Sequence, residues 1–263
     1  MGRMTLPKLL QRVKAGHKLT MVTAYDVSSA RLADAAGIDM VLVGDSLGNV
    51  VQGHDSTLPV TLDESLYHTR LVSRGCTAHS MVVGDMPFGT YHESDEQAVR
   101  NAVRYLKEAG AAAVKLEGGE RVANRIRAIV EAQVPVVGHI GLTPQSVHMM
   151  GGYRVQRDEA ELIRAASAVQ AAGAFAVVLE GIPAPIARAV TEHLSIPTIG
   201  IGAGAGCSGQ VLVWHDMLGL TTSPPRFVKI YADLATETDR ALRAFIADVQ
   251  AGTFPGDEHN YAP

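Results

Sequence analysis

The chain has 263 residues, of which 47% are hydrophobic, 19% charged and 5% aromatic, and its formal net charge is -4. These values are typical of a globular α/β enzyme, and they exclude a disordered chain and the basic footprint of a nucleic-acid-binding protein. We expect a cytoplasmic location and no membrane partner. The sequence has no signal peptide and no apolar run of about 18 residues, and its two cysteines, Cys76 and Cys207, lack metal-type spacing.

Hydrophobic spacing predicts helices and strands in alternation. An amphipathic helix at 6–15 ends at Gly16 and can plug one end of a barrel, and a strand follows at 19–24. Asp26 or Ser28 can cap the next helix, at 27–36, which ends at Gly37. The elements predicted after it are a strand ending at Asp45, a polar loop at 49–59, a helix at 63–74, a strand ending at Asp85, a loop at 86–92, a helix at 94–109, a strand at 112–116, a helix at 120–132, a strand ending at His139, a loop at 141–157, a helix at 158–172, a strand ending at Glu180, a helix at 184–193, a strand at 198–201, a glycine-rich loop at 202–209, a strand at 210–213 and an amphipathic helical region at 226–250.

This alternation of about eight strands and helices predicts a parallel sheet. No composition break divides the chain, so we predict a single domain over 1–263. The favoured architecture is a (β/α)8 TIM barrel with an N-terminal helix and a C-terminal helical region, and a doubly wound sheet is the alternative. The barrel is favoured because ionisable residues end many different strands, whereas an open sheet gathers its ligands at one switch point.

Five apolar runs end in an ionisable side chain. The runs lack polar alternation, as expected for parallel strands covered on both faces. They end at Asp45, Asp85, Glu117, His139 and Glu180. Ligands of α/β sheets lie at the carboxyl ends of the strands, so these five residues are the candidate site.

Three of the acids, Asp45, Asp85 and Glu117, form an oxygen-rich set that suits a hard cation such as Mg²⁺. Mg²⁺ usually takes only one or two protein carboxylates directly. The alternative for any one of them is that it caps the following helix, a role that Asp fills well and Glu poorly. Glu117 and Glu180 are therefore the stronger functional candidates.

Lys115 precedes Glu117 by two residues in a buried strand, so both side chains are predicted on one face. Lysine is rarely buried without a partner. Lys115 can neutralise the acidic cluster, bind the carboxylate of a substrate, or do both. His139 can act as an acid or base, donate a hydrogen bond to substrate, or be structural, and its place at a strand end favours a functional role.

Glu180, beneath apolar Val178 and Ile182, can act as a general base or acid, a role worth roughly 10² to 10⁴ in rate. The glycines of 200–209 resemble a phosphate-binding loop only weakly, because glycines also permit close packing. No P-loop, convincing dinucleotide fingerprint or Gly-x-Ser-x-Gly motif occurs.

Long motifs give the sequence a resemblance to the ketopantoate hydroxymethyltransferase family from about residue 5 to His259. The matching stretches are Thr23-Ala24-Tyr25-Asp26, Val43-Gly44-Asp45-Ser46-Leu47-Gly48, residues 51–61 (VQGHDSTLPVT), Lys115-Leu116-Glu117-Gly118-Gly119, residues 138–146 (GHIGLTPQS), Gly151-Gly152-Tyr153 and residues 199–204 (IGIGAG).

The resemblance implies a (β/α)8 barrel of the phosphoenolpyruvate/pyruvate type and a homo-oligomer, decameric in bacterial members. It implies hydroxymethyl transfer from 5,10-methylenetetrahydrofolate to 3-methyl-2-oxobutanoate in pantothenate biosynthesis, with Glu180 as proton acceptor. The residues implied to bind the 2-oxo acid are Asp45, Ser46, Asp85, Lys115 and His139. Those implied to hold Mg²⁺ are Asp45, Asp85 and Glu117.

The chemistry of the residues agrees with this implied activity, since a cation can stabilise the enolate that forms when a 2-oxo acid loses its C3 proton. One alternative is a Mg²⁺-dependent lyase or aldolase that acts on a 2-oxo acid in the same barrel without folate. Another is a non-catalytic scaffold or ligand sensor, which the presence of all four acids disfavours. The sequence assigns no residues to the folate.

Overall fold

Eight parallel strands close into a barrel within residues 2–262, the part of the chain that the computed structural model describes. Each strand pairs with the next along the chain, and the last pairs with the first. The prediction of a (β/α)8 barrel is therefore confirmed. The strands are β1 Leu19–Thr23, β2 Met40–Val43, β3 Met81–Asp85, β4 Ala113–Glu117, β5 Val136–Gly141, β6 Ala176–Glu180, β7 Thr198–Ile201 and β8 Gly209–Leu212.

Helices connect each strand to the next as far as β7, as predicted, and the glycine-rich loop joins β7 to β8. Several begin at a side chain that satisfies the free N–H groups of the first turn. Asp26 accepts hydrogen bonds from the amides of Ser28 and Ser29, and Thr61 forms a capping box with Glu64. The α-helices are α1 Leu6–Lys14, α2 Val27–Ala36, α3 Leu47–Val50, α4 Leu62–Gly75, α5 Asp95–Lys107, α6 Ala123–Glu131, α7 Val147–Met150, α8 Glu159–Ala171, α9 Ala184–His193, α10 Trp214–Met217 and α11 Leu234–Ala251.

The N-terminal helix closes the end of the barrel opposite the strand carboxyl ends. Leu9 of α1 is fully buried and belongs to the same apolar cluster as Leu19, Met40 and Met81, which lie at or near the starts of their strands. Burial of one such side chain contributes roughly 1.5–3 kcal/mol. The predicted plug is thus confirmed, and any ligand must enter at the other end.

The glycine-rich segment before β8 has a packing role. A side chain at Gly209 would lie 2.6 Å from the carbonyl oxygen of Leu19, because β8 and β1 pair closely there to close the barrel. This contact accounts for one glycine of the segment without a phosphate ligand.

Several predicted segments differ from the structure: β2 ends at Val43 and not at Asp45, β5 continues past His139 to Gly141, and the loop predicted at 141–157 contains the short helix α7. The polar loop at 49–59 begins inside the short helix α3, and the C-terminal helix starts at Leu234, where the prediction began it at 226. Asp233 sets this start, since its side chain accepts a hydrogen bond from the amide of Thr236.

The chain divides into two compact units, the first ending at Val213 and the second beginning at Trp214. The first holds the barrel. The second contains α10 and α11, and large apolar side chains of α11 such as Leu242, Phe245 and Ile246 are exposed. A single domain over 1–263 stays a prediction. No helix within residues 2–262 combines the length and apolarity that crossing a membrane requires.

Candidate active site

The carboxyl ends of neighbouring strands bring the predicted acids together. Asp85, Glu117 and Glu180 are the last residues of β3, β4 and β6. His139 lies on β5 opposite Glu117 in the strand register, and Asp45 follows β2 after a single residue, Gly44. The closed parallel barrel places all five at one end, as the sequence predicted.

Lys115 joins two of these acids. Its Nζ lies 2.8 Å from Asp85 Oδ1 and 3.4 Å from Glu117 Oε1, so Lys115 and Glu117 share one strand face as predicted. Burial by itself favours the neutral amine, yet the carboxylates of Asp85 and Glu117 outweigh it and raise the pKa of Lys115. The site therefore contains a permanent positive charge.

His139 bridges two further carboxylates. Its Nδ1 lies 3.2 Å from Glu117 Oε1, and its Nε2 lies 3.3 Å from Glu180 Oε2. Burial and Lys115 lower the pKa of His139, but Glu117 and Glu180 prevail and raise it to about 9. The imidazolium then lies between two carboxylates, and these two ion pairs favour one orientation of the ring.

Glu117 lies between Lys115, His139 and the backbone of Gln145. Burial opposes its ionisation, but Lys115 and His139 hold the pKa of Glu117 at about 2. Its second oxygen, Oε2, accepts a hydrogen bond of 3.1 Å from the amide of Gln145. Glu117 is therefore a fixed negative charge at the centre of the cluster.

Asp45 and Asp85 are two acids of the cluster whose pKa is raised. The Asp45 amide donates to Asp85 Oδ2 at 3.0 Å. Burial, and then the charges of Asp85 and Glu117, raise the pKa of Asp45 well above its ordinary range. A cation placed beside these carboxylates would relieve the repulsion.

This donor set fits Mg²⁺ bound mainly through water. Buried carboxylate oxygens are the ligands that Mg²⁺ prefers, and it needs only one or two of them. Across residues 2–262, no group of three or more His, Cys, Asp or Glu is placed to hold a metal ion. Direct contact with one or two carboxylates, the mode usual for Mg²⁺, does not require such a group.

Sequence analysis missed Gln145 and Tyr91 as site residues. The Gln145 side-chain amide donates to Asp45 Oδ2 at 2.8 Å and to the carbonyl of Met86 at 3.0 Å, and it accepts from the Tyr91 hydroxyl at 2.6 Å. Gln145 therefore fixes one oxygen of Asp45 and, through its backbone, one oxygen of Glu117. The only sequence signal was the place of Gln145 in the segment 138–146, and Tyr91 had none.

Ser46 is linked to the cluster through the chain. It follows Asp45, and its Oγ lies 2.8 Å from the hydroxyl of Tyr25. The structure thus joins Asp85, Lys115, Glu117, His139 and Glu180 in one line of polar contacts, and it places Asp45 and Ser46 beside that line.

Comparison with protein families and with curated proteins gives one consistent result. A family model described as ketopantoate hydroxymethyltransferase matches residues 3–257. A 3-methyl-2-oxobutanoate hydroxymethyltransferase of Desulforapulum autotrophicum is 58% identical over 98% of this chain and 98% of its own length. The protein of the same name from Trichlorobacter lovleyi is 54% identical over 99% of each chain.

Solved structures share the fold at much lower identity. A 2,3-dimethylmalate lyase, described as a member of the PEP mutase/isocitrate lyase superfamily, aligns with a TM-score of 0.60 and 19% identity over 98% of this chain and 91% of its own. The phosphoenolpyruvate phosphomutase of Streptomyces platensis subsp. rosaceus gives a TM-score of 0.63 and 20% identity over 98% and 92%. At this identity the similarity concerns the barrel alone.

Proposed function

The chain belongs to the ketopantoate hydroxymethyltransferase family, and on that premise we propose that it transfers a hydroxymethyl group from 5,10-methylenetetrahydrofolate to 3-methyl-2-oxobutanoate. In this reaction the C3–H bond of the 2-oxo acid breaks and a C–C bond to the folate methylene forms. Both C–N bonds of the folate methylene break, and water supplies the hydroxyl group that this carbon carries in the product. The C3 proton and the remaining water proton go to the two folate nitrogens, so no oxidant or reductant is needed.

The observation that carries the proposal is the buried line of contacts that ends at Glu180. Its first members, Asp85 and Lys115, are almost fully buried, whereas the side chain of Glu180 is 20% exposed. The line thus runs from a fixed interior to a carboxylate that a small acid can reach. Such an arrangement suits proton removal from a substrate whose carboxylate and oxo group are held deeper in the barrel.

Binding of the 2-oxo acid is assigned to the inner residues. The Lys115 ammonium attracts the substrate carboxylate, and Asp45, Ser46, Asp85 and His139 surround the same space. We assign Mg²⁺ to direct contact with Asp45 and Asp85, with Glu117 acting on the ion through a water molecule, because burial and repulsion from Glu117 raise the pKa of both aspartates and favour a cation beside them. A Mg²⁺ ion bound there would supply a Lewis acid for the oxo group.

Glu180 is assigned as the base. His139 Nε2 lies 3.3 Å from the Glu180 carboxylate and His139 Nδ1 lies 3.2 Å from Glu117, so a charged ring held by Glu117 stands beside the proposed base. A positioned base of this kind contributes roughly 10² to 10⁴ in rate.

The decisive experiment follows C3 hydrogen–deuterium exchange of 3-methyl-2-oxobutanoate by NMR, with Mg²⁺ and without folate. We expect exchange that stops on chelation and falls about 10²-fold or more in Glu180→Gln, while Glu192→Gln, an exposed glutamate on α9, exchanges like the wild type. Exchange that persists unchanged in Glu180→Gln removes Glu180 from the base role. Absence of exchange in the folded, Mg²⁺-loaded wild type, both without and with folate, would overturn the proposal.

Product analysis distinguishes the transferase from the lyase alternative. Ketopantoate that forms only when methylenetetrahydrofolate is present identifies the transferase, and cleavage of a 2-oxo acid without folate identifies a lyase. The two named relatives favour the transferase. A homo-oligomer, the decamer and a cytoplasmic location stay predictions.

A further inference from the structure

A cavity of about 400 Å³ opens beside the strand-end cluster. It lies between the loops after β3, β4 and β5 and the start of α8. Three buried polar residues, Glu117, Thr143 and Gln145, are among those that line it, and Glu117 and Gln145 also belong to the cluster. A molecule in this cavity would therefore reach the 2-oxo acid site from the side, without displacing Lys115 or Glu180.

The outer part of the cavity is apolar and uncovered. Phe88 is 48% exposed and Met149 is 81% exposed, although both line the cavity, and Val122 and Leu162 lie deeper. Large apolar side chains around a concavity are typical of sites for flat organic ligands. Phe88 and Met149 can cover the face of an aromatic ring, since thioethers and aromatic rings both stack on such faces.

Two charged side chains at this cavity, Arg121 and Glu161, form no ion pair with any described residue. Both line the cavity and are exposed. Asp158, their charged neighbour, is occupied, because its carboxylate caps α8 by accepting from the Glu161 amide. A ligand could pair with both side chains if one end were cationic or carried two hydrogen-bond donors for Glu161, and the other end were anionic for Arg121.

We propose that this cavity binds the one-carbon donor, a reduced pterin carrying an aminobenzoylglutamate tail. The inference rests on the proposed function, which requires such a donor next to the 2-oxo acid. The pterin offers two parallel N–H donors, from its 2-amino group and its ring N3, and these pair with the Glu161 carboxylate as a bidentate donor does. The ring lies against Phe88 and Met149, and the carboxylates of the glutamate tail pair with Arg121.

The pterin, the methylene and the glutamate tail follow one another along the donor, so the two ends of the molecule can bind at the periphery while the methylene lies further in. One-carbon transfer needs the methylene to reach the inner end of the cavity, near Glu117 and Gln145. Charged recognition at Glu161 and Arg121 then takes place at the periphery, where it sets affinity for the donor and leaves the proton chemistry at Glu180 unaffected.

The test compares Glu161→Gln and Arg121→Ala with two variants of charged residues on α8 that do not line the cavity, Glu159→Gln and Arg164→Ala. We expect the KM for methylenetetrahydrofolate to rise about tenfold or more in each cavity variant and to stay within twofold of wild type in each control. Isothermal titration with tetrahydrofolate should show the same loss of affinity.

Two further readouts separate this inference from the proposed function. C3 exchange without folate, and the KM for 3-methyl-2-oxobutanoate, should stay within twofold of wild type in Glu161→Gln. The defect of Arg121→Ala should shrink when the donor is methylenetetrahydropteroate, which lacks the glutamate. A donor KM and a tetrahydrofolate affinity that are unchanged in both cavity variants would overturn the assignment, whereas a wild type that makes no ketopantoate would overturn the proposed function itself.

Discussion

Asp34, on α2, should stabilise the barrel more than any capping residue does. Its carboxylate accepts four backbone N–H groups of the segment that leads into β3. Oδ2 accepts from Thr77 and Ala78 at 3.0 and 2.8 Å, and Oδ1 accepts from His79 and Ser80 at 2.8 and 2.6 Å. Asp34→Asn keeps the shape but replaces one acceptor oxygen with an NH₂ group that faces two N–H donors.

The expected loss follows from these contacts. Two hydrogen bonds disappear, at roughly 0.5–1.5 kcal/mol each, and the other two weaken from charged to neutral, at about 1 kcal/mol each. Water can reach the amides of the exposed residues Thr77 and Ala78, which reduces the total. We therefore expect Asp34→Asn to lower the free energy of unfolding by about 2–4 kcal/mol at pH 7.

The same contacts predict the pH dependence. Burial opposes ionisation, but the four N–H donors lower the pKa of Asp34 from 3.8 to about 2. A carboxyl group with a lowered pKa in the folded state adds stability above its unfolded value of 3.8 and loses that contribution as pH falls toward 2. The difference between wild type and Asp34→Asn should accordingly shrink below pH 3.8.

Urea denaturation followed by far-UV circular dichroism measures this loss, because the single tryptophan, Trp214, belongs to the other unit. Asp26→Asn on the same helix is the matched control, since asparagine caps a helix about as well as aspartate. A loss below about 1 kcal/mol in Asp34→Asn, or equal losses in the two variants, would refute the reasoning.

In EDTA, Asp45→Asn should have a thermal stability equal to or higher than that of the wild type, because the change removes repulsion from Asp85 and Glu117. Mg²⁺ at a hundredfold excess over Kd should stabilise the wild type by about 2.7 kcal/mol and should not stabilise Asp45→Asn. Equal Mg²⁺ stabilisation in both proteins would contradict the metal assignment. Gly84→Ala should lower stability by roughly 1–3 kcal/mol, because the added methyl group would overlap the Tyr105 ring. Combining it with Tyr105→Leu should be less harmful than the sum of the single changes, and simple additivity would mean that the overlap is not the cause.

The strands could be predicted because a strand buried on both faces appears in the sequence as an uninterrupted apolar run. β3 and β6 are apolar runs without polar alternation, and the structure buries both in the wall of the barrel, with boundaries within one or two residues of the prediction. The C-terminal helix was less predictable. Phe227, Ile230 and Tyr231 have helical spacing, yet they lie outside α11, whose start is fixed by a local hydrogen bond of Asp233 that periodicity does not reveal.

Site residues that lie close together along one strand could be predicted from the two-residue period of a strand. Contacts that form only when the barrel closes could not be predicted. Lys115 and Glu117 lie two residues apart, so their shared face followed from the period of a strand. The Gln145 amide instead reaches Asp45, 100 residues earlier in the chain, and Tyr91 reaches Gln145 from 54 residues away. Only the ring of strands brings these positions together, and no local pattern encodes the contacts.

In the closed barrel, the strands hold the polar cluster and other segments of the chain line the cavity beside it. Each polar side chain of the cluster sits on or just after its own strand, and pairing on both sides holds that strand whatever loop follows it. The cavity beside the cluster is lined mainly by the segments after β3, β4 and β5 and by α8. These segments can therefore change in sequence without altering the strand pairing that holds the polar cluster in place.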